Sequence, residues 1–327
     1  MQESTRVADA IVGQRKHYPF FIDVIIRLIK EKPLGSIGLF IVITLLLAGI
    51  FADWLAPYYY MYQDLDHVLE PPSAEFLLET DNLGRCLLSR IIYGARISMI
   101  VGLSVPLMSS IMHLFIGGLA GYFGGKWDMI VMRFVDTMMC FPGLVIMLTV
   151  VAIIGPGLIQ LILLLGILGG LGGANRATRS YVINIRENVY VDAARTIGAS
   201  NFRIMFRHIV PNILPLVIVG FTMNMGGAIL AESSLSFLGF GIPPPYPSWG
   251  AMLSGNARRY MFTAPWMAIW PGLALAIVVW GMNMFGDGVR DVLDPRLRGG
   301  LGSYRLNAKK LEKVLKKVRG EDNSKSD

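Results

Sequence analysis

Three charged residues, Arg133, Asp136 and Glu232, lie within otherwise apolar stretches of the sequence. A charge at the centre of a membrane-spanning helix costs about 2.5–3.5 kcal/mol on insertion scales, so each of these side chains needs a partner or water. Because Arg133 and Asp136 are three positions apart, they can pair on one helical face. We interpret these charges as an intramembrane lock between helices. The alternative is that Asp136 or Glu232 lines a solute pathway and meets an amine or a cation there.

The patterns that catalysis requires are absent from the sequence. The apolar stretches contain no G-x-S-x-G elbow, no His-rich cluster and no paired catalytic aspartates. The phosphate-binding pattern G-x-x-x-x-G-K-[ST] is absent as well, since the one Gly-Lys pair, Gly125 and Lys126, is followed by Trp127. We therefore expect a chain that is not an enzyme and that by itself binds neither a cofactor nor a metal.

A polar segment, residues 175–211, interrupts the apolar sequence with six arginines and two acidic residues. Within it, Ala193 and Ala194 favour a short helix, Gly198 is suited to end that helix, and Asn201 can cap the next one. No general base and nucleophile are paired in this segment. Its physical use is to lie in a groove of a partner protein and to carry that partner's movement to the membrane helices.

Composition identifies the setting of these residues. The sequence is 54% hydrophobic and 16% charged, whereas a soluble domain has about 25% charged residues, so the chain is an integral membrane protein. A bilayer core about 30 Å thick requires about 20 apolar residues per helix. Six stretches qualify: 34–56, 97–122, 129–154, 157–174, 212–231 and 265–286. The prediction is an all-α membrane protein with six transmembrane helices, the third and fourth forming a hairpin through residues 155–157.

The distribution of Lys and Arg predicts that both termini face the cytoplasm. Six lie in the first 33 residues, six in 175–211 and eleven from residue 287 onward, against three in 57–96 and two in 240–264, and basic residues near a span stay inside. The predicted division is a cytoplasmic N-terminal segment (1–33), the first span (34–56), an external segment (57–96), a membrane core (97–286) containing loop 175–211, and a basic cytoplasmic tail (287–327).

Amphipathic stretches occur near both ends of the chain. An apolar face before the first span predicts a helix in the membrane interface, formed by Phe20, Phe21, Val24, Ile25 and Leu28. A similar face at 311–318 is surrounded by lysines. Basic segments facing anionic lipid account for the net charge of +7, whereas no aromatic platform supports nucleic-acid binding.

Small and rigid residues predict local packing. Gly117, Gly121 and Gly125 recur every four residues, a spacing that lets helix backbones approach closely in lipid.

The proline-rich stretch 241–249 cannot form a regular helix and should be a stiff outer loop. The tryptophans near it, Trp249, Trp266 and Trp270, are predicted to anchor the chain at the membrane interface. The alternative for this region is a docking surface for an external binding protein.

Residues 191–200, VDAARTIGAS, resemble the EAA loop of binding-protein-dependent ABC importer permeases. Asp192 stands where that family has glutamate, Gly198 stands at its glycine and Pro211 at its proline. His208 and Val210 depart from the aliphatic residue and the leucine of the pattern. The resemblance implies that the following residues couple the chain to ATPases: Tyr190, Asp192, Ala193, Ala194, Gly198, Ala199 and Pro211.

Four further stretches resemble the C-type subunit of dipeptide, oligopeptide and nickel importers. They are TDNLGRCLLSRIIYGARIS (80–98), GYFGGKWDMIVMRFVDTMMCFPGL (121–144), AILAESSLSFLGFGIPPPYPSWGAML (228–253) and PGLALAIVVWGMNMFGDGVRDVLDPRLR (271–298). The resemblance extends over about residues 35–298 and implies the type I ABC importer permease fold with a cytoplasmic coupling helix. It also implies a multi-pass protein of a bacterial or archaeal cytoplasmic (inner) membrane.

The same resemblance implies the partners and the mechanism. They are a second homologous permease, two cytoplasmic ABC ATPases that bind ATP–Mg, an extracytoplasmic substrate-binding protein and membrane lipid. ATP binding would close the ATPases, pull on the coupling helix and turn the pathway outward. Di- or oligopeptides are the expected solutes, with nickel or another small solute as alternatives. An ion-coupled secondary transporter, with Asp136 and Glu232 as its ion sites, is the alternative from another class, and an intramembrane enzyme is a third.

Overall fold

The computed structural model describes residues 20–293, which form α-helices and irregular connections with no β-sheet. The helices are α1 (Phe20–Glu31), α2 (Pro33–Ile50), α3 (Ala52–Leu55), α4 (Leu87–Phe123), α5 (Gly125–Met139), α6 (Gly143–Ile154), α7 (Leu158–Gly170), α8 (Ala174–Arg186), α9 (Val189–Thr196), α10 (Asn201–Ile204), α11 (Val210–Phe237), α12 (Trp249–Leu253), α13 (Asn256–Arg259) and α14 (Trp266–Leu293). The amphipathic stretch predicted at 311–318 and most of the basic tail lie outside the described residues.

Two compact units divide the described chain at Pro33. The first contributes α1, which forms where the amphipathic pattern predicted a helix and carries an ion pair of 2.8 Å between Asp23 and Arg27. The second unit, residues 34–293, contains the apolar helices and the polar segment between them.

Four helices are long and apolar enough to cross a membrane: Pro33–Ile50, Leu87–Phe123, Asn201–Phe237 and Trp266–Leu293. Two bent helix pairs, α5 with α6 and α7 with α8, qualify only when each pair is taken together. Among the described residues the number of spans is therefore four, or six when each bent pair counts as one span. The all-α membrane architecture is confirmed, while the count of six stays a prediction.

The third predicted span, 129–154, is not one helix. Helix α5 ends at Met139, α6 begins at Gly143, and the two axes differ by 87°. Pro142 lies at the break as the N-terminal cap of α6, where the lack of a backbone N–H costs nothing but a continuous helix cannot pass. The prediction of a continuous span was wrong because it weighed hydropathy alone.

The fourth predicted span, 157–174, contains one helix, α7, and the chain bends only at the end of this stretch. Helix α7 ends at Gly170, and α8 follows after Gly173 at an angle of 50°. Residues 175–186, which are predicted to belong to a polar loop, form most of α8, a 13-residue helix. Its three arginines have partners on α4 and α5, which the composition of the segment does not reveal.

Helix α4 is the central element of the fold. Its 37 residues extend over about 55 Å at 1.5 Å per residue, and it begins at Leu87 rather than at the predicted 97. A Cβ atom on Gly117 or Gly121 would lie 2.6 Å or 2.7 Å from a carbonyl oxygen of α8. The predicted close approach of helix backbones is confirmed at these two glycines, whereas a Cβ on Gly125 would contact nothing within 4 Å.

Trp249 belongs to the core of the helix bundle rather than to the membrane interface. It is 2% exposed and packs in a cluster with residues of α2, α4, α11 and α14. Its Nε1 donates to the carbonyl of Ile91 at 3.1 Å, and Gly94 leaves room for the ring, since a Cβ there would lie 2.7 Å from Nε1. The prediction of an interfacial anchor was wrong for this residue.

Glu79 connects the segment before α4 to the first turns of α14. Its buried carboxylate accepts a hydrogen bond from Trp270 Nε1 at 3.0 Å, so this tryptophan is also held by the protein. Glu79 Oε2 and Trp266 Nε1 are buried without a hydrogen-bond partner among the described residues. Burial raises the pKa of Glu79 to about 7, against the opposing effect of the Trp270 hydrogen bond.

Candidate coupling surface

The segment that resembles the EAA loop folds as two helices joined by a glycine turn. Helix α9 ends at Thr196, and Gly198 follows with a φ of 82°, a left-handed conformation that glycine adopts without penalty. Ser200, not Asn201, caps the next helix, because its side chain accepts from the backbone N–H of Arg203 at 3.3 Å. The Asn201 side chain is engaged elsewhere.

A five-residue π-helical turn, Met205–Ile209, joins α10 to α11. Pro211 follows it in the first turn of α11. Because proline cannot donate a backbone hydrogen bond, a regular α-helix cannot continue unchanged through this position. The wider turn accommodates the proline, so that α10 and α11 form one continuous helical segment, Asn201–Phe237.

One face of α9 is anchored in the protein. Val191 and Ala194 are buried in a cluster with Ile204 and Ile209 of the following helices and Val182 of α8. Burying such side chains contributes about 1.5–3 kcal/mol for each large aliphatic group. The short helix is therefore held against the rest of the fold rather than carried on a loose loop.

Tyr122, in the last turn of α4, ties the surrounding elements together. Its hydroxyl donates to Asn201 Oδ1 at 2.8 Å, and its carbonyl accepts from Arg186 Nη1 at 2.7 Å. The guanidinium of Arg195 in α9 lies 6.0 Å from the centre of the tyrosine ring. Helices α8, α9 and α10 therefore all contact the end of α4 through one residue, α8 at its backbone carbonyl and the other two at its side chain.

The opposite side of α9 and α10 exposes large apolar side chains. Val189 and Ile197 are 84% and 85% exposed, and Phe202 and Phe206 are exposed with their ring centroids 4.4 Å apart. We call these four residues the coupling surface. Beside it lies an open groove of about 730 Å³ that is lined by Phe202, Arg203, Phe206, Arg207 and Pro211. Exposed apolar patches with a charged rim mark sites of protein association.

The residues implicated by the EAA resemblance divide between the two faces. Five are exposed, namely Tyr190, Asp192, Ala193, Gly198 and Pro211, whereas Ala199 is half-buried and Ala194 is buried. The Tyr190 ring lies 6.2 Å from the His208 ring, and Asp192 pairs with Arg195 at 3.3 Å. Ala194 therefore contributes to anchoring, and the assignment of these residues to ATPase coupling stays a prediction.

Sequence reasoning did not identify the four apolar residues of the coupling surface. Helix α9 carries apolar residues on both faces, with Val191 inward and Val189 outward. Hydrophobic periodicity identifies a single buried stripe, so it cannot separate a buried residue from an exposed one here. Only the three-dimensional structure distinguishes the two faces.

Asp136 pairs with a different arginine from the one predicted. Its Oδ1 accepts from Arg176 of α8, and about two turns earlier Asp128 accepts from both Nε and Nη2 of Arg179. Arg133 has no ion pair with any residue that the structure describes. The predicted pairing of Arg133 with Asp136 was wrong because α8, taken as a loop, brings its arginines against α5. The two ion pairs connect α5 to α8, and an intramembrane lock formed by Arg133, Asp136 and Glu232 stays a prediction.

Glu232 is fully buried in α11. Its Oε1 accepts from the hydroxyls of Ser236 and Ser248, each at 2.6 Å, and its Oε2 accepts from Ser233 at 3.2 Å. The charge therefore has hydrogen-bonding partners, as the membrane setting requires. These contacts join α11 to the proline-rich loop and leave no surface of the carboxylate open within this chain.

No group of three or more His, Cys, Asp or Glu side chains among residues 20–293 is arranged to hold a metal ion. The geometry instead offers an apolar surface on anchored helices, connected through Tyr122 to the longest helix of the fold. This arrangement can receive a force from a protein partner and pass it on to the membrane helices.

Comparison with known proteins identifies two matching families. Residues 113–299 match the family described as the binding-protein-dependent transport system inner membrane component. Residues 20–72 match the N-terminal transmembrane domain of oligopeptide transport permease C. Together these matches include most of the described helices.

Similar proteins match about four-fifths of the chain. The dipeptide transport system permease protein of Alkalihalophilus pseudofirmus is 39% identical over 83% of this chain and 88% of its own length. The di/tripeptide transport system permease protein of Pseudomonas aeruginosa is 41% identical, with coverages of 80% and 88%. The glutathione transport system permease protein of Escherichia coli is 37% identical, with coverages of 84% and 90%. The chain therefore belongs to the family of binding-protein-dependent ABC transport permeases of the inner membrane.

Proposed function

We propose that the chain is one of two permease subunits of an ATP-driven importer for short peptides and forms half of its translocation pathway. The observation that carries the coupling part of this proposal is the coupling surface, with Val189 and Ile197 more than four-fifths exposed on a helix that is otherwise anchored. The relatives named for dipeptide, di/tripeptide and glutathione transport support short peptides as the solutes.

In this proposal, two cytoplasmic ATPases bind ATP–Mg. A groove on the surface of the ATPase binds α9 and α10 of the permease. Closure of the ATPases displaces α9, and the contacts of Arg195 and Asn201 with Tyr122 pass the displacement to α4. The ion pairs between α5 and α8 hold those two helices together, and the close approach of α8 to Gly117 and Gly121 makes them move with α4. Because α4 is longer than the bilayer core is thick, movement at one end reaches the other side.

The proposal sets the orientation and the remaining partners. Both termini face the cytoplasm, the 57–96 segment faces outward, and a second homologous permease completes the pathway. A substrate-binding protein delivers the peptide to the outer face, where the proline-rich loop after α11 offers a rigid surface. Lipid surrounds the apolar helices.

An ion-coupled transporter, with Asp136 and Glu232 as its ion sites, agrees less well with the structure. Asp136 pairs with Arg176, and Glu232 accepts hydrogen bonds from three serines of its own chain. The Glu232 carboxylate is fully buried and cannot meet a passing ion without losing these partners, and the charge of Asp136 is already balanced by Arg176. A permease for nickel or for another small solute differs from the proposal only in its substrate.

Uptake by the reconstituted complex tests the proposal. The two permeases, the ATPases and the binding protein are placed in proteoliposomes, and entry of radiolabelled dialanine is followed with ATP–Mg supplied to the ATPases. We expect uptake that requires ATP hydrolysis and the binding protein. An ATPase variant unable to hydrolyse ATP is the control and should abolish uptake. Uptake driven by membrane potential or by an ion gradient in the absence of ATP would contradict the proposal.

A further inference from the structure

A cavity of about 410 Å³ lies at the N-terminal end of α4. Its wall is formed by residues 81–90, by α12 and by the proline-rich loop after α11. On the orientation proposed above, this is the outer end of the helices. Part of the TDNLGRCLLSRIIYGARIS stretch lines the cavity. The proposed coupling to ATPases gives these residues no role.

The charged residues that line this cavity do not balance. They are Arg85, Arg90 and Asp81, two cations and one anion. Asp81 Oδ2 lies 2.7 Å from Arg85 Nε but 3.7 Å from Arg90 Nε, and Asp81 Oδ1 accepts from the backbone N–H groups of Leu83 and Arg85. The aspartate is therefore engaged mainly by its own turn and by Arg85.

Arg90 carries the surplus positive charge. Its side chain is only 9% exposed, and its hydrogen bond among the described residues runs from Nη1 to the carbonyl of Tyr60 at 3.3 Å. A guanidinium has five N–H donors, and a buried charge with incomplete pairing is costly. An anion in the cavity would lower that cost, and a carboxylate matches the planar donor arrangement of arginine.

We propose that this cavity binds the terminal carboxylate of a short peptide, with Arg90 as its principal contact. The inference rests on the proposed function and adds a binding site on the permease itself. A cavity of about 410 Å³ falls within the range of small-molecule sites, about 300–1,000 Å³. Its wall also offers Asn82 and Ser254 for peptide groups and Met252 and Met267 for apolar side chains. Because Asp81 is already paired, the site selects the carboxylate end of a peptide rather than its amine.

Direct binding to the purified permease–ATPase complex in nanodiscs, without the binding protein, tests this site. Titration calorimetry compares dialanine and trialanine with the same peptides carrying a C-terminal amide. We expect the amides to bind about tenfold or more weakly, since a hydrogen bond to a charged group is lost. Arg90→Gln should make acid and amide bind equally. Arg259→Gln, which removes an exposed arginine outside the cavity, should leave the preference intact.

A second variant guards against misfolding of Arg90→Gln. Ala251→Leu keeps every charge and fills part of the cavity, so it should weaken acid and amide alike. Equal binding of acid and amide to the unaltered complex would overturn the site, and so would a preference that survives Arg90→Gln. Loss of binding-protein association in Arg90→Gln, with peptide binding unchanged, would overturn it in favour of a protein contact. If uptake requires ATP but the acid and the amide bind equally, this inference alone is wrong. If the acid binds more tightly than the amide but uptake does not require ATP, the proposed function alone is wrong.

Discussion

Gly198 sets the direction in which the chain leaves α9. Its φ of 82° lies in the left-handed region, and a Cβ added there would meet nothing within 4 Å, so a substitution acts through backbone strain alone. We expect Gly198→Val to destabilise the turn by about 1–2 kcal/mol and to lower the amount of ATPase that co-purifies with the permease. Asparagine tolerates this conformation, so Gly198→Asn is the matched control and should retain the ATPases. Equal recovery with both variants would show that the turn conformation is unimportant for coupling.

Glu79 should make the stability of the protein depend on pH. Burial raises its pKa from an ordinary 4.5 to about 7, so the folded state favours the neutral carboxyl. This contribution is fully present below about pH 4.5 and is lost as the pH rises through about 7. We expect the thermal unfolding midpoint of the purified protein to fall between about pH 5 and about pH 8, and Glu79→Gln to reduce that fall.

His67 changes stability in the same direction, because its hydrogen bond to Asp64 raises its pKa. The difference between the unaltered protein and Glu79→Gln, measured at each pH, therefore isolates the glutamate. A difference that does not change with pH would contradict the assignment of the titration to Glu79.

At the scale of elements, the sequence predicted the apolar helices better than their bends. Backbone polar groups in lipid must be satisfied within a helix, so long apolar stretches such as 34–56 and 265–286 predict the positions of α2 and α14 well. The break at Pro142 depends on a change of direction that hydropathy does not register. Helix α8 escaped prediction because Arg176 and Arg179 look like loop residues until their partners on α5 are known.

The contact between α4 and α8 provides a test with an internal control. A Cβ on Gly121 would lie 2.7 Å from the carbonyl oxygen of Arg179, whereas a Cβ on Gly118 of the same helix would contact nothing within 4 Å. We expect Gly121→Ala to separate the two helices and to cost about 1–3 kcal/mol, as overpacking does. Its thermal unfolding midpoint should fall clearly below that of Gly118→Ala. Equal midpoints for the two variants would mean that the helices do not depend on this close approach.

At the scale of the whole molecule, two separated features are connected by one helix. Tyr122 lies in the last turn of α4 beside α9 and α10, and Arg90 lies in its first turn beside the cavity of about 410 Å³. Interfaces between packed helices hold discrete arrangements rather than deforming continuously, so a displacement of Tyr122 must shift the helix as a body or bend it at Pro106. The family resemblance was visible in the sequence, but this physical connection was not, because it depends on the full length of α4.

Assembly with the ATPases depends on the coupling surface in the proposed function, and Ile197 is its most exposed aliphatic residue. Ile197→Asp introduces a charge that would be desolvated in the interface, while the variant itself loses little, because the side chain contacts solvent. We expect normal membrane insertion and an unchanged unfolding midpoint, with at least about a tenfold loss of co-purified ATPase, which corresponds to about 1.4 kcal/mol. Asn184→Asp, an exposed position on α8 outside the coupling surface, adds the same charge nearby and should leave ATPase recovery unchanged. Full recovery of the ATPases with Ile197→Asp would place their contact elsewhere, whereas equal losses with both variants would show that the added charge, rather than the apolar contact, is responsible.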